Sequence, residues 1–325
     1  MHNKFILSSC LCLTIAAHAI EVETEELPLS QKNAPWFTGP LLAPSGNVVP
    51  VGSLNIEPYF FAFGFTGTYG LDWKTQNYPV FWNTFLQVPI QFGIMPRVDF
   101  TVTPTFTRNQ TQGEHAWGVG DLELATSLQL LNETDYFPSI RLGFQETFPT
   151  GKYNDLDPAK LLTDAMGAGA YQSSVGLIFA KLVHFQGAHY LSMRFTGAAT
   201  FYSKVNLKGI SAYGGSLDTK GTYYPASLMT VDIGLEYSFT RNWVGAIDLL
   251  YNYAMRSKFK GKHGEFLFSN VGGTLTDVSS QISLAPALEY NFSRSIGLIA
   301  GCWLTIAGRN CNVFRSGVIA FNYYK

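Results

Sequence analysis

"FWNTFLQVPIQFGIMPRVDFTVTPTFT", residues 81–107, alternates apolar and polar residues in two halves around the break Met95-Pro96-Arg97. In the first half Trp82, Leu86, Val88, Ile90, Phe92 and Ile94 share one side, and Asn83, Gln87 and Gln91 share the other. In the second half Phe100, Val102, Pro104 and Phe106 oppose Asp99, Thr101, Thr103, Thr105 and Thr107. A period of two marks a β-strand, because successive side chains leave a pleated backbone on opposite faces. Both halves exceed the roughly 5 or 6 residues of a soluble strand and suit the roughly 9 to 11 that a tilted strand needs to cross a bilayer.

Ten further segments repeat the pattern. Residues 55–68 set Tyr59, Phe61, Phe63 and Phe65 on one side. Residues 121–131 oppose Leu122, Leu124, Leu128 and Leu130 to Asp121, Glu123, Ser127 and Gln129, and residues 139–145 oppose Ile140, Leu142 and Phe144 to Arg141 and Gln145. Residues 191–202 set Leu191, Met193, Phe195 and Phe201 against Ser192, Arg194, Thr196 and Thr200. Residues 228–239, 243–255 and 278–292 put Asp232, Glu236, Asp248 and Glu289 on their polar sides. Weaker alternation at 170–183, 296–307 and 313–324 brings the count to about twelve strands.

Connections alternate too. Short ones ("MPR", "NETDYFP", "HFQGAH", "TRN", "SRS") take turns with mostly long ones, among them 107–120, 148–169, 203–226 and 257–277. An even strand count with one short-turn rim and one long-loop rim matches an outer-membrane barrel. The expected fold is all-β: a single transmembrane antiparallel up-and-down β-barrel of about 12 strands over residues 53–325, with long extracellular loops and short periplasmic turns. Closure follows from physics, since unpaired backbone groups cannot face hydrocarbon and a membrane-crossing sheet must leave no edge. The apolar parity is assigned to lipid and the polar parity to the interior. Trp82, Tyr171, Tyr190, Tyr237, Trp243, Tyr290 and Tyr323 lie near strand ends, as interface girdles do. Pro89, Pro104 and Pro286 fall inside expected strands, where proline removes a ladder donor, so bulges or local breaks are expected there. A soluble sandwich or jelly roll also alternates, but strand length, aromatic load and the leader described next favour the membrane.

The totals agree. Hydrophobic residues make up 46% of the 325 residues and aromatics 15%, yet mean hydropathy is only +0.07, so the apolar residues are dispersed. Basic and acidic residues balance at 22 against 23, and no Lys/Arg run interleaved with aromatics suggests a nucleic-acid partner. Residues 1–19 read as a secretory signal peptide: Lys4, an apolar run from Phe5, and the small-x-small ending Ala17-His18-Ala19. Residues 20–52 form an N-terminal periplasmic segment rich in Pro and Gly near its end, either a linker or a plug that tucks into the lumen. Only Cys302 and Cys311 remain after leader removal, and their expected positions, mid-strand and near a turn, argue against a bridge.

Two neighbouring stretches, "GVGDLELATSLQLL" and "IRLGFQETFPTGKY", carry a resemblance. Gly120-Asp121 at a strand start and Pro149-Thr150-Gly151 at a turn resemble the outer-membrane family named for the MetA pathway of phenol degradation. That resemblance implies an exported barrel concerned with uptake or handling of aromatic compounds, and it supplies no catalytic residues.

On the polar parity stand Glu57, Asp99, Asp121, Glu123, Asp232, Glu236, Asp248 and Glu289, against Arg141 and Arg194. These ten are the candidate lumen lining, and an acidic lining favours cations. Asp232 and Asp248 lie at similar distances from "TRN" on adjacent strands, so they are expected to approach each other. Twelve strands about 4.8 Å apart and tilted about 40° give a backbone diameter near 25 Å, which side chains narrow to roughly a dozen Å. His115, His184, His189 and His263 form no metal pair or nucleophile motif, and Gly167-Ala168-Gly169 lacks a nucleotide-loop context. The sequence therefore points to a non-enzymatic channel or transporter for small, aromatic or hydrophobic solutes, with no cofactor or metal. Its alternative is a closed structural barrel whose long loops bind a partner. Membrane lipid and lipopolysaccharide are the surrounding partners, and the oligomeric state is left open.

Overall fold

A computed structural model describes residues 35–264 and 277–325. The expected leader, and residues 20–34 of the segment after it, lie outside the described residues. Four crossings of the wall are each built from two pieces: β1 (Leu54–Ile56) with β2 (Tyr59–Tyr69), β3 (Thr75–Gln87) with β4 (Ile90–Met95), β5 (Val98–Thr103) with β6 (Thr105–Thr111), and β7 (Glu114–Val119) with β8 (Leu122–Leu131). Eight more are single strands: β9 (Ser139–Phe148), β10 (Gln172–Gln186), β11 (His189–Tyr202), β14 (Leu228–Ser238), β15 (Trp243–Ala254), β17 (Ser279–Asn291), β18 (Ile296–Arg309) and β19 (Cys311–Tyr324). Neighbours pair antiparallel in chain order, and β19 returns to pair with both β1 and β2. The result is a closed barrel of twelve crossings. Within the stretch that opened the reading, Phe92 faces Phe100 and Gln91 faces Thr101 across the "MPR" turn.

The joints in the four composite crossings lie side by side. The Glu57 amide donates to the Pro89 carbonyl at 3.1 Å, Val88 to Pro104 at 3.1 Å and Gly120 to Thr105 at 2.8 Å. Pro58, Pro89 and Pro104 have no amide to give, so the amides of Glu57 and Val88, just before two of them, and of Gly120, opposite Thr105, bridge the joints and the ladder resumes beyond. Pro286 instead stays within β17, opposite Ile247. On its other side the register passes from Leu284↔Leu304 to Ala287↔Gly301.

Over most of the wall the alternation sorts as expected. Trp82, Phe106, Phe195, Ile233, Leu249 and Ile319 are exposed on the outside, while Asp99, Thr107, Arg141, Glu236, Asp248 and Glu289 are buried inside. Residues 55–68 are the correction. Phe61, Phe63 and Phe65 are 6%, 6% and 9% exposed and face inward, whereas Phe60, at 46%, meets lipid. The cause is steric: on the outer surface the Trp82 ring lies 3.2 Å from where a Cβ on Gly64 would stand, so β3 covers the small residues of β2 and the aromatics fill the interior. Tyr190 is a second correction. It is buried rather than in the girdle, with its amide held by Ser238 Oγ at 2.8 Å and its ring stacked on His184. A third concerns 107–120, which forms the β6–β7 hairpin rather than a loop. It turns at Gln112 (φ 47°) and Gly113 (φ 93°), the paired left-handed residues a type I′ turn requires. No disulfide joins Cys302 and Cys311; the first is exposed and the second buried.

Above the barrel, β12 (Val205–Lys208), β13 (Lys220–Tyr224) and β16 (Lys258–Lys262) form a separate antiparallel sheet in that order. It extends β11, β14 and β15 outward. Residues 149–171 fold against it through Ala170, Val205, Leu207 and Tyr223, with Leu156, Leu162 and Ile210 as a second small core.

Candidate functional site in the barrel interior

Residues 35–50, "PWFTGPLLAPSGNVVP", adopt neither helix nor strand and run along the inner wall. Pro35, Pro40, Pro44 and Pro50 remove four backbone donors, and inward side chains take up five of the remaining amides, as buried backbone needs partners. Thr38 donates its amide to Glu289. Leu42 and Ala43 donate to Asp248 at 3.3 and 3.1 Å, Val48 to Gln129 Oε1 at 2.9 Å and Val49 to Asp99 at 3.0 Å. In return the carbonyls of Trp36, Ala43, Ser45 and Gly46 accept from Asn291 (2.6 Å), Arg194 (3.1 Å), Arg141 (2.9 Å) and Gln129 (3.1 Å). A Cβ on Gly46 would stand 2.2 Å from Ala180 Cβ, and Gly39, at φ 114°, lies under the Arg194 guanidinium. Both glycines let this strap approach the wall closely. It passes from β17 and β18 round to β4, where Val51 bridges Gly93 before β1 begins.

The charged residues expected on the polar parity are placed as follows. Asp99 pairs with Arg141 at 3.3 Å, and Arg141 also donates to Ser127 Oγ at 2.7 Å. Glu236 pairs with Arg194 at 3.1 Å and accepts from Ser192 at 2.9 Å. Asp232 lies opposite Leu250, and Asp248 opposite Gly234. The two are diagonal neighbours on one face, as their distances from "TRN" suggested. Glu123 accepts from Gln87 at 3.3 Å, and Glu57 sits at the β1–β2 joint beside Tyr59. One oxygen of each of Glu57, Asp232, Glu236 and Glu289 has no hydrogen-bond partner among the described residues. Asp121 does a different job from the others. Its carboxylate accepts the amides of Gly151 (2.9 Å) and Ala168 (2.8 Å), tying residues 149–169 to the wall. Asp121→Ala is expected to cost about 1–3 kcal/mol by orphaning those amides. Limited proteolysis should show faster cleavage between residues 152 and 168 while the barrel stays intact.

The strongest interior feature is one the alternation hid. Phe61, Phe63, Phe65, Phe81, Trp303 and Phe314 form a buried cluster, with Tyr59, Tyr78 and Phe85 against it. Phe61 and Phe85 stack at 4.7 Å, and Trp303 meets Phe63 and Phe314 edge-on at 5.2 Å each. Leu41 of the strap packs into the same cluster. The interior is thus two-sided: an aromatic lane on β2, β3, β18 and β19, and a wall of polar and charged side chains elsewhere that holds the strap. The clue available in the sequence was the other parity of β2, where Ala62, Gly64 and Thr66 are too small to clad a lipid face.

A closed antiparallel ring with an apolar exterior and a polar-and-aromatic interior defines an outer-membrane β-barrel protein. No family model matches the chain and no curated protein does. Among solved structures it is similar to an outer-membrane channel from Pseudomonas putida F1, with a TM-score of 0.67 at 15% identity over 86% of this chain and 98% of that one. The translocator domain of the autotransporter NalP from Neisseria meningitidis gives 0.45 at 12% identity, over 83% of this chain and 88% of that one. A monoaromatic hydrocarbon channel, CymD, gives 0.40 at 10% identity, over 86% and 89%. The first of these likenesses carries the fold.

Proposed function

We propose that this barrel is a narrow, non-enzymatic outer-membrane channel that passes small hydrophobic or aromatic solutes, with the strap at residues 35–50 as its plug. The aromatic lane carries the reading. Burying six aromatic side chains on the inside of a membrane barrel places apolar surface where a purely hydrophilic pore would be lined with polar groups, and an aromatic solute can stack there as the rings stack on one another. Three further observations support it: the resemblance to the MetA-pathway family at Gly120-Asp121 and Pro149-Thr150-Gly151, the likeness of the fold to an outer-membrane channel of Pseudomonas putida, and the strap's bonding to Asp99, Asp248 and Glu289. Of the two readings of the N-terminal segment, linker or plug, that bonding favours the plug.

The acidic residues set the ionic preference of whatever current leaks past the strap. Seven inward carboxylates, Glu57, Asp99, Glu123, Asp232, Glu236, Asp248 and Glu289, face two guanidiniums, Arg141 and Arg194, so the leak is cation-selective. The Asp232→Asn/Asp248→Asn variant is expected to move the reversal potential toward zero under a salt gradient; an unmoved potential would place the ion path elsewhere.

Uptake by cells tests the solute directly. Cells with no aromatic uptake route of their own, expressing the barrel, are expected to accumulate a radiolabelled monoaromatic hydrocarbon. Phe63→Ala with Phe314→Ala should slow that uptake about tenfold, by removing roughly 1.4 kcal/mol or more of stacking. Equal uptake by folded wild-type and variant barrels contradicts the lane's role.

A further inference from the structure

The short sheet of β12, β13 and β16 carries a dense basic surface. One face packs Val205, Leu207, Tyr223 and Phe259 into a cluster with Tyr202, which shares the inward parity of buried Thr200, so that face looks toward the barrel axis. The opposite face exposes Lys208, Lys220, Lys258, Lys260 and Lys262. Register sets Lys220 between Lys208 and Lys262 in one row, Thr222 between Asn206 and Lys260 in the next, and Tyr224 beside Lys258 in the third. Like charges directly opposite each other across a ladder repel, and compensation within the chain is partial. Lys208 reaches Asp155 at 3.0 Å and Lys262 reaches Asp218 at 2.5 Å, while Lys260 sits 5.6 Å over the Tyr224 ring. Lys220 and Lys258 have no carboxylate within ion-pair reach among the described residues.

Position identifies the partner. These strands prolong β11, β14 and β15, whose outer surface just below exposes Phe201, Met229 and Tyr251 to lipid. Lys208 and Lys258 stand seven residues along the chain from Phe201 and Tyr251, and Lys220 nine from Met229, roughly 20–30 Å at the rise of an extended strand, on the long-loop side where the phosphorylated sugars of the outer leaflet lie. We propose that it docks the phosphorylated sugar headgroup of lipopolysaccharide. The ammonium groups serve as point charges for phosphates, and Asn206, Thr222 and Tyr224 offer hydrogen bonds to sugar hydroxyls.

The test uses the refolded full barrel in detergent and lipid A as probe. Wild-type protein is expected to bind bisphosphorylated lipid A far more tightly than its dephosphorylated form, with affinity falling as salt is added. Lys220→Gln, Lys258→Gln and Lys260→Gln together should weaken binding about a hundredfold, near fivefold for each lysine at a charged membrane surface, while Lys74→Gln on another loop leaves it unchanged. Heat-modifiable gel mobility reports whether each barrel is folded, and the single Lys220→Gln variant, expected to lose about fivefold, keeps the test available if the triple one is not. Equal binding of the two lipid A forms, or undiminished binding by a folded variant, overturns the proposal. Equally effective competition by a soluble polyanion such as heparin overturns the lipid assignment.

Discussion

Deleting residues 35–49 is expected to raise single-channel conductance in a planar bilayer about threefold or more, because an extended chain with its side chains fills most of a lumen roughly a dozen Å across. The strap makes no strand pairing before Val51, and the barrel ring closes without it, so the shortened chain should still fold. A finer variant makes the same point with the strap still present. Gly46→Val sets a branched side chain where even a Cβ lies 2.2 Å from Ala180, so the strap must leave that stretch of wall. Conductance should then rise part of the way toward the deletion value. An unchanged conductance in both would mean that the strap does not limit the path.

The second large effect lies in the wall. Arg141→Ala leaves Asp99, 0% exposed, without its guanidinium and is expected to destabilise the barrel by about 3–5 kcal/mol, the cost of a buried charge deprived of its partner. Urea unfolding from lipid vesicles measures it. Arg141→Met combined with Asp99→Leu removes both charges and should recover most of the loss. The exposed pair Lys208–Asp155 provides the contrast, since its removal should change stability by no more than about 1 kcal/mol. If Arg141→Ala unfolds at the wild-type urea concentration, the pair is not the structural tie that its geometry describes.

Much of this architecture was legible in residues 81–107 and their repeats. Period-two patterning depends only on which faces meet lipid and interior, so the twelve crossings, short-turn rim and inward positions of Asp99, Arg141, Arg194, Asp232, Glu236, Asp248 and Glu289 could be read directly. Three features could not. The aromatic ladder of β2 suits lipid or lumen equally; the small Ala62, Gly64 and Thr66 of its other parity hint at the lumen, and the fit of Trp82 over Gly64 decides. The strap has no periodicity, because its backbone is held by side chains 50 or more positions away, such as Asp99, Asp248 and Glu289, rather than by a ladder. The lysine face is spread over three segments, so no sequence window contains it, and pairing of β12, β13 and β16 creates it. Asp121 sat on the expected parity, but the two amides it holds belong to a loop whose fold a strand pattern cannot specify.

The most direct test of a solute path along the aromatic lane is single-channel current through the unaltered barrel, recorded with and without a monoaromatic solute such as toluene. The expected result is a small, cation-selective current that the solute blocks reversibly, with the block lost in Phe63→Ala combined with Phe314→Ala. A steady current indifferent to the solute, in wild type and variant alike, would contradict it.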